Sequence, residues 1–583
     1  MKWVEIRKSG DYDAIAKKHK ISPVIARILA NKGINTDEKI KKYLYGTLDD
    51  MYSPYLMKDM DKAVETMIKR MQEGSHICII GDYDIDGVFS TYILYHALVD
   101  AGANVSYAVP HRVEDGYGLN IPLIEKAIND GVTTIITCDN GIAAKEAVSF
   151  ARQHDMTVII TDHHEVPFDT DGEVRREVLP DADAVVDPKR SDCPYPCKDL
   201  CGAGVAYKFV QALYEKMNMP VDPKEYLPYV AFATIGDVVD LTDENRLIVK
   251  YGLPLMKKCN IGLDALMAVN NLSYDNITPY HVGFILGPCI NATGRLDTAR
   301  TAVELLITED EARAKTIAEE LYRLNCERKE MTETQKKIAF SMVEESLTED
   351  KVLVLCLPEC HESLCGIIAG KLREKYYKPS FVLTRTSSGC LKGSGRSIEA
   401  YSMFEKLSEV KDLLISYGGH PMAAGISLQE DKLEELRKKL NEKCALSEED
   451  LTEKAKIDAV LPLDYCNEAL IKQLELLEPC GKGNAKPLFA VRNAQISSMK
   501  VLGEKRNFVK MKALKSGNLP IETVYFTDGD AFLRQIESKF GRMEKEQLMI
   551  GAAKHTFINL LYYPKINEFN GKRSVQVNVV DWC

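Results

Sequence analysis

The 583-residue sequence contains no run approaching the roughly 18 apolar residues that a membrane-spanning helix needs. Its first residues, Met1-Lys2-Trp3-Val4-Glu5, lack the charged-then-apolar pattern of a secretory signal. The expectation is therefore a cytoplasmic chain with no membrane partner. Paired cysteine spacing is also missing: the 16 cysteines are scattered, which favours reduced thiols over a disulfide framework. The even gaps of Cys193, Cys197 and Cys201 fit neither the usual zinc pairs nor a common iron–sulfur spacing. Excess positive charge is absent, and a formal net charge of −11 argues against a protein that coats nucleic acid indiscriminately. A local basic groove stays open, because steering depends on where charge sits. There is no fixed-period repeat and no low-complexity tract, and nothing points to disorder.

What is there is ordinary globular composition, 45% hydrophobic and 28% charged, in a chain too long for one core. A prior of roughly 150 residues per domain suggests three or four domains. From Ser75 to about Asp187, short β-branched runs alternate with amphipathic helical stretches, the pattern of a doubly wound parallel sheet. The region Leu200 to Leu272 reads as mostly helical and completes the same domain. Arg300 to about Glu345 is rich in Ala, Glu, Lys, Arg and Leu without proline, which predicts long connecting helices between two lobes. A second α/β unit begins at Lys351-Val352-Leu353-Val354-Leu355, and after a charged helix, Asp431 to Lys443, the final segment turns strand-rich and predicts a small β-barrel. The fold class is multidomain α/β with a C-terminal β-barrel.

In an open parallel sheet, ligands bind beyond the carboxyl ends of the strands. Three candidate strands end in acidic turns there: Asp82-Tyr83-Asp84-Ile85-Asp86-Gly87, Asp139-Asn140-Gly141 and Asp162-His163-His164. A fourth acidic residue, Asp237, follows the apolar run Tyr229 to Ile235. One such aspartate would be read as a turn former or helix cap. Three acidic turns at equivalent ends of one sheet are electrostatically costly without cations to neutralise them. Carboxylate oxygen mixed with imidazole nitrogen suits Mn²⁺ first, or Mg²⁺, rather than copper or structural zinc. Two such ions can activate water and clamp a phosphate undergoing in-line attack, so the residues predict phosphoester hydrolysis.

These motifs resemble the DHH phosphoesterase superfamily, and within it the RecJ branch of single-strand-specific DNA exonucleases. The resemblance extends through Lys58 to Ala63, Asp115 to Leu119, Cys193 to Pro196, Gly202 to Ala206 and Asn291-Ala292-Thr293-Gly294-Arg295-Leu296. It implies Asp82, Asp84, Asp86, Asp139, His163, His164 and Asp237 as metal ligands or their immediate partners, with Asp162 orienting the imidazoles. One histidine would act as general acid or orient the attacked phosphate.

The second α/β unit carries Gly393-Ser394-Gly395-Arg396-Ser397 and Tyr417-Gly418-Gly419-His420, read as a glycine-rich phosphate cradle with an arginine for bidentate contact. Together with His361 and Gly366-Ile367-Ile368-Ala369 they resemble the superfamily's substrate-binding DHHA1 domain. The resemblance implies a cleft for a 5′-terminal phosphate contacted by Arg112, Ser394 and Arg396, with His420 closer to the scissile phosphate and Asn291, Arg295, Gly418 and Gly419 on the substrate path. Glu478 to Asn484 is similar to the start of the family's OB-type domain. Such barrels stack single-strand bases on aromatics beside basic residues; the candidates here are Phe508, Phe557, Tyr562 and Tyr563 with Lys505, Arg506 and Lys510, although any one such aromatic is more often core than platform. Cys289 stands where the family usually has arginine, which implies one lost contact to DNA backbone.

The boundaries expected are 1–75 as a helical extension of the DHH lobe, 76–299 DHH, 300–348 connecting helices, 349–450 DHHA1 and 451–583 OB-type. The function expected is a 5′→3′ exonuclease on single-stranded DNA in recombination and repair, with a single-strand-binding protein and a helicase as partners. The alternatives are a phosphodiesterase of short oligonucleotides or cyclic dinucleotides, and a non-catalytic DNA-binding replication factor.

Overall fold

A computed structural model describes residues 1–111, 118–171, 174–220, 222–387, 389–569 and 571–583. The chain divides into two units: one of residues 48–451 with 481–483, the other of residues 1–47, 452–480 and 484–583. Among the described residues no helix is long and apolar enough to cross a membrane.

The larger unit opens with a five-stranded parallel sheet of β1 (His76–Ile80), β2 (Asn104–Ala108), β3 (Thr134–Cys138), β4 (Thr157–Thr161) and β5 (Ala184–Val186), in the order β2-β1-β3-β4-β5. All residues of β3 and β4 are buried, as a sheet covered on both faces requires. Helix α1 (Ile85–Asp100) follows β1 and packs with α2 (Gly202–Met217) and α3 (Leu227–Gly236) on one face. Its apolar residues run all round the helix because it is covered on every side up to Leu94. A further helix, α4 (Gly287–Leu296), and the 36-residue α5 (Glu311–Ser346) lead to the second lobe. There β6 (Leu353–Cys356), β7 (Ser380–Arg385), β8 (Cys390–Arg396), β9 (Ser416–His420) and β10 (Ala423–Gln429) form a sheet in the order β9-β10-β8-β7-β6. Only β6 and β7 are parallel. Helix α6 (Cys365–Tyr376) connects those two.

The glycine-rich segment Gly393 to Ser397, read from sequence as a phosphate-cradling turn, is for the most part strand β8, and Tyr417 to His420 lies in edge strand β9. The glycines answer to packing: a Cβ at Gly393 would stand 2.1 Å from the Val382 carbonyl oxygen, and one at Gly395 2.6 Å from the Phe381 ring. Alternation along the strand turns Ser394 and Arg396 to the opposite face.

In the smaller unit, β11 (Phe489–Leu502), β12 (Phe508–Leu514), β13 (Pro520–Tyr525), β14 (Phe557–Phe569) and β15 (Lys572–Trp582) follow one another as β11-β12-β13-β15-β14, and β14 pairs back onto β11 to close a barrel. A 22-residue helical segment, Gly529–Ile550, broken at Gly541, interrupts the strands, where few helical stretches are expected from the sequence. Residues 1–47 belong to this unit and not to the DHH lobe: Lys2–Glu5 pairs with Lys454–Ile457, and Ile25, Ile28 and Leu29 share a core with Phe489 and Tyr562. Local helix signals identify the N-terminal helices but carry no information about which distant core they cover.

Candidate metal centre

Strands β1, β3 and β4 deliver their acidic turns to the same edge of the sheet. After β1, Asp82 and Asp86 are buried, and Asp84 caps α1 by accepting from the Asp86 and Gly87 backbone N–H groups at 3.0 and 3.1 Å. Gly87 is required because a Cβ there would lie 2.4 Å from the Asp82 carbonyl oxygen. Asp86 accepts in turn from the N–H groups of Gly202 (2.6 Å) and Ala203 (2.8 Å), the first residues of α2, where helix dipole and free donors favour an anion.

After β3, Asp139 adopts a left-handed φ of 62° and is buried. Beside it Asn140 donates to the Ile80 and Cys138 carbonyls at 3.0 and 2.9 Å, tying the ends of β1 and β3 together. After β4, Oδ1 of Asp162 accepts from the backbone N–H groups of His163 (2.7 Å) and His164 (3.2 Å) and from Nδ1 of His164 (2.8 Å). Its Oδ2 accepts from Ile142 N–H at 2.9 Å. With both oxygens engaged, Asp162 holds the His164 ring and the backbone of both histidines.

The remaining groups converge. Nε2 of His163 lies 3.0 Å from Oδ1 of Asp139 and 3.5 Å from Oδ2 of Asp86. Three sets of ligand atoms, Asp139/His163/His164, Asp86/His163/Asp237 and Asp82/Asp84/Asp139, each lie within 4.8 Å of one another. Asp237, which caps the C-terminus of α3, thus reaches the cluster from a different layer. Burial, then repulsion from Asp84, pushes the Asp86 carboxyl up to about 6. Burial and neighbouring carboxylates push Asp139 and Asp237 upward as well. Burial, then His164, holds the His163 imidazole down at about 3. For His164 burial opposes the charge, but the bond to Asp162 and the surrounding carboxylates raise it to about 9. Buried carboxylates that repel one another around two imidazoles form a donor set that fits Mn²⁺ or Mg²⁺. The sets share Asp139 and His163, so the pocket offers room for more than one ion without dividing its ligands cleanly.

Asp187 was not singled out from sequence, although it follows β5 of the same sheet as the other acidic turns follow theirs. It is fully buried, and burial, then the nearby Asp162, pushes it up to about 8. Among the described residues no cysteine joins a ligand set.

The other expected site residues fall in three places. Arg295, Ser394 and Arg396 line one cleft of about 330 Å³ with Glu362, Ser363 and Gly366, and Arg295 donates to the Ser363 carbonyl at 2.6 Å, linking α4 to the second lobe. Asn291 accepts from Ile85 N–H at 2.8 Å and so steadies the first acidic turn. Gly418, Gly419 and His420 lie exposed on β9, and no hydrogen bond or ion pair joins His420 to the acidic cluster among the described residues. Arg112 lies outside the described residues. Cys289 is buried, its thiol donating to the Ile285 carbonyl at 3.4 Å, and an arginine could not occupy that space unaltered. In the barrel, Tyr562 is a core residue whose hydroxyl donates to the Leu461 carbonyl, not a base platform, whereas Phe557 is exposed. Arg506 and Lys510 pair with Asp530 and Glu522 at 2.7 Å each.

Comparison with known proteins accounts for each of the three modules. Family models match at residues 76–234 (DHH family, N-terminal domain), 349–446 (DHHA1 domain) and 457–581 (RecJ OB domain). The chain is 33% identical over 586 residues to the single-stranded-DNA-specific exonuclease RecJ of Bacillus subtilis, covering 100% of this chain and 70% of that protein. Crystal structures of RecJ from Thermus thermophilus in complex with Mn²⁺ and with Mg²⁺ match with TM-scores of 0.80 and 0.75 at 26% and 25% identity. They cover 100% of this chain and 79% and 78% of those chains, respectively. With the acidic turns, the second lobe and the barrel all accounted for, the chain belongs to the RecJ family of DHH phosphoesterases.

Proposed function

We propose that this chain hydrolyses single-stranded DNA from its 5′ end, releasing nucleotides by attack of water on the terminal phosphodiester. The observation that carries this reading is the shared cluster of Asp82, Asp84, Asp86, Asp139, His163 and Asp237 at the carboxyl edge of one parallel sheet. Mn²⁺ or Mg²⁺ bound there supplies Lewis-acid activation of water and neutralises charge developing on the phosphate. Asp162 locks the His164 ring, and because it accepts from Nδ1 of His164, that ring presents Nε2. His163 is enclosed by Asp86 and Asp139, while His164, 39% exposed, is the imidazole open to orient or protonate the phosphate. Arg295, Ser394 and Arg396 supply a cationic, hydroxyl-bearing cleft suited to a terminal phosphate. Holding that terminus gives the enzyme its polarity, with Arg112 and His420 as further contacts to the strand.

The same reading places the protein in the cytoplasm, in recombination and repair. A helicase would supply free strands and a single-strand-binding protein would hold them open. Purified protein and Asp139→Ala, incubated with Mn²⁺ and end-labelled single strands, duplexes and dinucleotides, test it. Mononucleotides released from the 5′ end of single strands, and lost in the variant, are expected. Release from the 3′ end alone, or cleavage of dinucleotides alone, is incompatible with the reading.

A further inference from the structure

The approach to α4 carries a feature that the metal centre does not use. Pro279–His281 forms one helical turn that widens into a turn of π-helix, Val282–Leu286, before α4 begins. Widened turns of this kind are rare and gather at functional sites. One side of the segment packs toward the acidic cluster: a Cβ at Gly283 would lie 3.6 Å from Cγ2 of Ile235, and one at Gly287 3.0 Å from Cδ1 of Ile85. Ile235 stands two residues before Asp237, and Ile85 lies between Asp84 and Asp86.

From this segment Tyr280 and Phe284 project outward, their rings stacked at 5.0 Å between centroids and 24° between planes. They are 61% and 68% exposed. Val238, immediately after Asp237, is 58% exposed and held at a φ of 59°, a conformation β-branched residues avoid. The strained Val238 follows Asp237 directly, and the stacked rings rise from the segment whose Gly283 packs on Ile235, two residues before Asp237.

Exposed apolar clusters of this kind mark binding surfaces. A strand whose phosphate enters the acidic cluster must bring its bases past the adjoining surface, and a base offers the flat π-face that suits two exposed rings. We propose that Tyr280 and Phe284 form a stacking platform for a nucleobase close to the scissile phosphate. The proposal rests on the reading that single-stranded DNA is the substrate, and it adds a device for strand selection. A base inside a duplex is stacked on both faces and has none to offer the platform.

The experiment uses the full chain with Ca²⁺ in place of Mn²⁺ and a fluorescein-labelled single strand carrying one abasic site, moved stepwise from the 5′ end. In the wild-type chain one position, or two adjacent ones, should weaken binding about 5- to 10-fold. Tyr280→Ala/Phe284→Ala should weaken the fully based strand by a similar factor and lose nothing further at that abasic position, while Tyr280→Phe and Phe284→Tyr keep wild-type affinity. Losses that add at every position, or a wild-type scan with no sensitive position, overturn the proposal, and the scan does so whatever the variants' folding. Hydrolysis of the based strand by the wild-type chain with Mn²⁺ is measured alongside. Its failure would overturn the substrate reading instead of the platform.

Discussion

Nδ1 of His164 donates to Oδ1 of Asp162 across 2.8 Å, and the same oxygen receives the backbone N–H groups of both histidines. The motif is thus a small hydrogen-bonded unit in which the aspartate holds the His164 ring and the backbone of both histidines.

Asp162→Asn replaces an oxygen that accepts from N–H groups with an amide that must present its own donor to one of them. Losing a partner that orients a metal-binding histidine costs roughly 10- to 100-fold in metal affinity or activity. The ring held here is that of His164, which faces the phosphate, so the variant should lose exonuclease rate in that range. An unchanged rate would mean that the ring orientation does not depend on Asp162.

Gly366 faces Arg396 so closely that an added Cβ would lie 2.8 Å from a guanidinium nitrogen. Gly366→Ala should therefore push Arg396 aside and, like Arg396→Ala, raise KM for 5′-phosphorylated strands several-fold while leaving 5′-hydroxyl strands nearly untouched, since a bidentate charged contact is removed. Competition between the two strand types reads the difference directly. Equal losses on both strand types would move the terminal phosphate out of this cleft.

Without a cation the cluster should make the protein less stable as pH rises from about 6.5 to 9. Asp139 and Asp237 are pushed upward, and His164 is raised to about 9. Their folded values thus exceed the unfolded ones of about 4 and 6.5. The native state then holds more protons than the unfolded chain, and stability falls as pH climbs through the folded values. His163, held down at about 3, acts in the opposite sense only below about 6.5. Added Mn²⁺ replaces those protons, so the rise in Tm on metal addition should be larger at pH 8.5 than at pH 6.5. A rise that is equal at both would show that the carboxylates are not the cation's ligands.

Lys208 and Glu244, 1% and 0% exposed, are paired at 2.8 Å behind the sheet, and the Tyr195 hydroxyl donates to the same carboxylate at 2.5 Å. Lys208→Met leaves a buried carboxylate without its cation and should cost about 3–5 kcal/mol in denaturant unfolding of the larger unit. Lys208→Met with Glu244→Leu should recover much of that loss. A single variant as stable as wild type would mean that water reaches the pair.

Much of the site was legible because its information is local. Asp82 to Gly87, Asp139 to Gly141 and Asp162 to His164 each follow a β-branched run, and a parallel sheet brings such strand ends to one edge whatever the details of packing. The same rule, applied to Ala184-Val185-Val186, would have pointed to Asp187.

Other features depend on contacts between residues far apart in the chain. Gly393 and Gly395 look like turn glycines until the pairing of β8 with β7 shows which neighbours a side chain would strike. Tyr562 and Phe557 have the same local credentials as base platforms, and only barrel closure buries one and exposes the other. The first 47 residues carry helix caps that a reader can see, but the core they cover is formed by residues more than 400 positions away. By itself the sequence determined the chemistry of the metal centre, the layered α/β class and the barrel, since periodicity and residue type act over a few positions. The tertiary structure decided which glycines pack, which aromatics face solvent, which atoms Asp162 receives, and that the segment carrying Tyr280 and Phe284 packs on Ile235. Those depend on where burial and register place side chains distant in sequence.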